Sequence, residues 1–188
     1  MNAILPPDQI QSLARPGELR PAKGDWRSPL LAAGIIAVCV YWVLIPIWPN
    51  ISTAIIGDEN TDAIRGLWGF DHMRRTLLPP NNPIFTDHIN FPAGATMLTL
   101  PWVTGLLMTP FGFLFGPIIA WNLSIAFMLW AFGLSTAWLI QKLTTSWAAG
   151  ILFGGLMTSQ PMLIHALSDG TPEHLSLWGM PFFLGALW

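Results

Sequence analysis

From Pro29 to Trp48 the chain runs for twenty residues without an acidic or basic side chain. At about 1.5 Å of helical rise per residue, such a run matches a hydrocarbon core of about 30 Å. Further apolar stretches follow at about 99–117, 118–140 and 147–167, and another starts near Leu175. Only 10% of the 188 residues are charged, against about 25% in a soluble domain, which leaves lipid as the main solvent. The pattern predicts an all-α fold, a polytopic α-helical membrane protein in contact with the lipid bilayer. Several of the eleven tryptophans fall near the ends of the apolar runs, where amphipathic rings favour the headgroup layer. A net charge of −2 gives no reason to expect nucleic acid as a partner, and the single Cys39 permits no internal disulfide.

The chain divides into four parts. Residues 1–28 hold four of the eight basic residues and four prolines, and they read as a polar cytoplasmic tail. Residues 29–48 are the first transmembrane helix. Residues 49–98 form an external loop, because basic residues precede the first span and acidic ones follow it. Within that loop the spacing of Asp58, Glu59, Asp62, Arg65, Asp71, Arg74 and Arg75 against Ile64, Leu67, Trp68 and Phe70 predicts an amphipathic surface helix over 57–78. Pro79 to Pro83 end it, and Asp87 to Gly94 reads as an ordered loop. Residues 99–188 make a helical bundle of three to four apolar segments, the last one incomplete.

Lys142 is the only basic residue after Arg75, so the orientation of this bundle hangs on it. If all three runs cross, Lys142 is outside and the 168–174 loop is inside. If 99–117, interrupted by Pro110 and Gly112, only dips into the outer face, Lys142 is cytoplasmic and 168–174 external; this second topology is preferred. The run from Leu175 to Trp188 is too short to complete a span, which suggests the front portion of a longer polypeptide.

Two polar clusters stand out against this background. Asp58, Glu59 and Asp62 follow the first span. On a helix Asp58 and Asp62 lie one turn apart, so they could share a divalent cation such as Mg²⁺ or Mn²⁺, or one carboxylate could take a proton from a hydroxyl. The plainer reading is a wet helix face carrying Asp62–Arg65 and Asp71–Arg74/Arg75 ion pairs. The second cluster, Ser168 to His174, brings Asp169, Glu173 and His174 together between apolar runs, which suits either a shared proton or metal or a simple Asp-Gly turn with Pro172 opening the next helix. His165, one turn earlier, reads as a hydrogen-bonded packing residue rather than a ligand, and His88 belongs to the loop around Asn90-Phe91-Pro92-Ala93-Gly94.

In this arrangement the chain resembles the front part of GT-C-fold membrane glycosyltransferases that use polyprenyl-phosphate sugars. Gly57-Asp58-Glu59 stands where those proteins carry an acidic residue soon after the first span. Leu67-Trp68-Gly69, Asn82-Pro83-Ile84-Phe85 and Phe91-Pro92-Ala93-Gly94 look like their Trp-rich surface helix, Asn-Pro turn and Pro-x-Gly loop, and Asp169 matches a second acidic position. No Asp-x-Asp pair occurs, and the later spans and donor-gripping domain of that family are not in these 188 residues. The resemblance implies transfer of a sugar from a polyprenyl-phosphate donor on the non-cytoplasmic face of a bacterial inner membrane. Asp58, Glu59 and Asp169 would be catalytic, with Asp58 and Asp169 as metal ligands. Asp62, Arg65, His88, Glu173 and His174 would line the substrate site. The competing expectation is a non-catalytic accessory subunit of a larger membrane complex, of respiratory or photosynthetic type, with other membrane subunits as partners.

Overall fold

A computed structural model describes residues 27–58, 61–77, 82, 84–96, 102–171 and 177–188, without the side chains of 102–104 and 107. Nearly all of the polar tail, together with Glu59, Glu173 and His174, lies outside the described residues. What is described is mostly helical, with a single two-residue hairpin as its strand content.

Helix α1, Arg27–Val43, buries Ala32, Ile36 and Val40. Their four-residue spacing makes one stripe, while Leu30, Leu31, Val38 and Trp42 face outward. At seventeen residues α1 is shorter than the twenty-residue span expected from the sequence. Pro46 has no N–H to continue the ladder, so the chain passes through turns into a 3-10 segment, Trp48–Asn50. Trp48 folds back to stack on Tyr41 and donates its indole N–H to the Tyr41 carbonyl at 3.0 Å.

Helix α2, Ala63–Leu77, is amphipathic as expected, burying Ala63, Gly69, Phe70, His72 and Met73. It starts later than the charge spacing suggested. Thr61 N–H and hydroxyl both bond the Asp58 carbonyl, a turn that competes with helix over this stretch. Asp58 therefore stands outside the helix, and the one-turn pairing of Asp58 with Asp62 is not formed. Strands β1 (Phe85–Thr86) and β2 (Ala95–Thr96) pair antiparallel and flank the loop expected at 87–94.

Helix α3, Trp102–Phe115, continues through Pro110 instead of breaking there. Its fourteen residues fall below the about seventeen needed to span a bilayer. Gly105 and Gly112 let α2 close on it, since a Cβ at either would strike Met73 or Arg74. Gly116, at φ 85°, turns the chain into α4, Pro117–Thr144, and Pro117 occupies the first helical position, where its missing N–H costs nothing.

Helix α4 is the centre of the molecule and packs against α1, α2, α3 and two later helices, α5 (Trp147–Thr158) and α7 (Gly179–Leu187). Left-handed Thr145 ends α4, and Ser146 caps α5 by accepting the Ala149 N–H at 3.3 Å. The two helices then run back to back through small residues. A Cβ on Gly150 would collide with the Ala137 carbonyl, and one on Gly154 would come within 2.5 Å of the Gly133 carbonyl oxygen. Extended Gln160 and Pro161 interrupt the helix before α6, Pro161–Asp169. By length and composition α4 and the continuous stretch Trp147–Asp169 could each cross a membrane. On α7, Gly185 admits the Trp138 ring, and Lys142 donates to its carbonyl while lying over that ring.

Candidate functional site

The segment after α1 is shaped by one amide in an otherwise oily helix. Asn122 of α4 is 1% exposed. Its Oδ1 accepts the Ile56 N–H at 2.9 Å, and its Nδ2 donates to the Ile51 and Ala54 carbonyls at 2.9 and 2.7 Å. Next to it the Trp121 indole N–H reaches the Ile56 carbonyl at 3.2 Å. An unpaired polar group in such a place costs about 1–3 kcal/mol, so one side chain that satisfies three backbone groups fixes the path of residues 51–56. That path delivers Gly57 and Asp58 to the end of α4 where α6 also finishes.

There the two polar clusters of the sequence meet. The Asp58 backbone N–H donates to the Ser168 carbonyl at 2.8 Å. Small residues make this approach possible. Gly170 adopts φ 61°, and a Cβ on it or on Gly57 would run into Ala63 at the start of α2. Residues 57, 58, 61–63 and 168–170 are thus on one end of the helix layer, while Lys142 lies toward the other end of α4. Between them opens a cavity of about 450 Å³, with walls that include Leu44, Ile47, Ile56, Ile164 and Leu167 and with Asp58 as its acidic lining residue. A hollow of that size with apolar walls and a few convergent polar groups is the usual form of a small-molecule site.

The expected site residues divide on this geometry. Asp58 lines the cavity. Asp169 is next to it in space through Ser168, but its carboxylate pairs with His165 across one turn of α6, Nε2 to Oδ2 at 3.3 Å. His165 therefore has a polar partner, as expected, but its side chain is exposed and not packed. Asp62 and Arg65 pair with each other at 3.7 Å in solvent and do not line the cavity. His88 lies in a different hollow, between α2 and the hairpin. Asp71 takes Arg74 and Arg75 at 2.6 Å each, the ion pairs anticipated for a wet helix face. Among the described residues no three His, Cys, Asp or Glu side chains come together as a metal site.

Sequence reasoning missed Asn122 and His72. The signal for the first was available: a lone amide in an apolar run is expensive unless it is bonded. His72 carried no such signal; its ring stacks on Trp68, one turn earlier in α2. Comparison with protein-family models, curated proteins and solved structures finds no match for this chain.

Proposed function

We propose that this chain belongs to a polytopic membrane glycosyltransferase of GT-C type, acting on the non-cytoplasmic face with a polyprenyl-phosphate sugar as donor. The observation that carries the reading is the Asp58 N–H to Ser168 carbonyl bond, which joins the two acidic loops beside one cavity. The apolar walls from α1 and α6 suit an isoprenoid chain, and Asp58 in the same lining offers an acidic group beside them. Two long apolar helices, together with the outward-facing Leu30, Leu31 and Trp42 of α1, are in keeping with lipid around this layer.

In this mechanism Asp58 accepts the proton of an acceptor hydroxyl. The hydroxyl oxygen forms a bond to the anomeric carbon from the face opposite the leaving group, so the configuration inverts. The bond from that carbon to the phosphate oxygen breaks with its electron pair, and polyprenyl phosphate departs. Asp169, held by His165, stands beside the reaction and orients the acceptor.

The test is transfer of labelled sugar from a polyprenyl-phosphate donor in membranes carrying the active protein. Asp58→Asn is expected to lower transfer at least about a hundredfold, the size of a general-base contribution, with the amount of inserted protein unchanged. Retained transfer removes Asp58 from the mechanism. Stoichiometric co-purification with other membrane subunits and no transfer by the unaltered protein would instead identify the accessory-subunit alternative.

A further inference from the structure

Helix α1 meets α4 along the stripe Ala32, Ile36 and Val40, with Ile36 against the bare backbone at Gly133. Beside that stripe the two helices do not close. Ala37 of α1 and Ala126 of α4 carry only a methyl group each, and a groove of about 400 Å³ opens over them. Aromatic rings stand on both sides of it. Tyr41 and Trp48 line the α1 side, centroids 5.5 Å apart and 10° from parallel. Phe127 and Trp130 line the α4 side, at 6.0 Å and 39°. The groove shares no lining residue with the Asp58 cavity.

The lining selects its occupant. Among the described residues it holds no carboxylate, ammonium, guanidinium or imidazole, so an ion would lose its water here without gaining a partner. The occupant is neutral. Both indole N–H groups are already engaged, Trp48 with the Tyr41 carbonyl and Trp130 with the Ala33 carbonyl, at 3.0 Å each. The rings therefore offer carbon faces and are pinned, so the slot is formed before anything enters it. A flexible acyl chain laid in a fixed slot gives up its bond rotations, whereas a fused-ring skeleton has none to lose. Flat rings also match flat walls. At Trp48 the chain enters the Trp48–Asn50 turn, and Asn50 is exposed, which suits an amphiphile with one polar end.

We propose that this groove binds a planar polycyclic lipid of the surrounding bilayer, of sterol or hopanoid type, with its rings between α1 and α4 and its hydroxyl toward Asn50. The assignment shares with the reading above only the presence of lipid around the helices, and it does not depend on sugar transfer at Asp58.

The test is photolabelling of the full chain in phosphatidylcholine nanodiscs. A diazirine-bearing cholestanol is the ring probe, and a diazirine-bearing hexadecanol is the chain probe. Mass spectrometry is expected to place the ring probe on α1 and on the 123–130 stretch of α4, with cholesterol or diplopterol competing and hexadecanol not. Ala37→Leu fills the groove from an exposed position. The thermal midpoint should hold while ring labelling falls about tenfold, the scale of extra methylenes forced into a filled site. Gly34→Leu enlarges a side chain on the same helix outside the groove, where a Cβ meets nothing within 4 Å, and should leave labelling unchanged. Loss in Ala37→Leu alone, with competition by either polycyclic lipid, establishes the site. Equal labelling by the chain probe, equal loss in both variants, labelling unchanged in Ala37→Leu, or no labelling at all overturns it. Asp58→Asn should label like the unaltered chain, which keeps this result separate from the fate of the transfer mechanism.

Discussion

The two hollows at either end of α2 are held open by different means. At Asp58 the walls are apolar side chains of α1 and α6, and position is set by backbone groups: the Asp58–Ser168 bond, the three bonds of Asn122 and the bare glycines at 57 and 170. At His72 the walls are polar side chains, and behind them is a hairpin of two residue pairs. A site framed by main chain keeps its shape when most lining side chains change, and fails when a glycine or the one organising amide does. A site framed by side chains behaves in the reverse way.

That contrast can be broken most directly at Asn122. Asn122→Leu keeps the volume and leaves the Ile56 N–H and two carbonyls without partners, so it is expected to cost about 3–5 kcal/mol in denaturant titrations in micelles. The sharper outcome is spatial. Amide exchange should rise at Ile56 and Asp58 and stay unchanged at Thr86 and His88; a rise at both ends would show that the hollows are one unit. Gly170→Val comes next, at about 2–3 kcal/mol, because the position needs a left-handed backbone and Ala63 occupies the space. Its signature is faster exchange of the Asp58 amide. Arg74→Gln removes two bonds to Asp71 from a half-buried position, expected to cost about 1 kcal/mol and to disturb only the His72 end. Asp62→Asn breaks a solvent-exposed pair and should change stability by no more than about 0.5 kcal/mol. A large effect there would mean that the surface of α2 does more than meet water.

How much of this could be read from the residues alone follows from what each signal depends on. Apolar periodicity and charge spacing are local, so α1, α2, α4 and the Trp147–Asp169 stretch were visible, as were the Asp71 ion pairs. Limits set by competing local bonds were not. The Asp58–Thr61 turn delays α2, and Pro110 is absorbed into α3, where Thr109 bonds the Gly105 carbonyl in the same turn. The meeting of Gly57, Asp58 and Ala63 with residues 168–170 joins segments more than a hundred residues apart. Sequence supplied the acidic residues and an orientation argument resting on one lysine, whereas the contact itself depends on Asn122 and on glycines whose backbone angles no spacing pattern reveals. His165 illustrates the same limit. Its neighbours are apolar, yet the last turn of α6 leaves it exposed beside Asp169.

The interruption at Ser159–Gln160 has a mechanical consequence. Pro161 offers no N–H to the α5 ladder, and Gln160 is extended, so α6 is hinged to α5 but anchored to the segment leaving α1 through Ser168. If α4 and the Trp147–Asp169 stretch cross a membrane, strain entering through them from a thicker or thinner bilayer would be taken up at that joint before it reached the mouth of the Asp58 cavity. Spin labels across the joint should then change separation with lipid chain length, while a pair spanning residues 58 and 168 stays fixed.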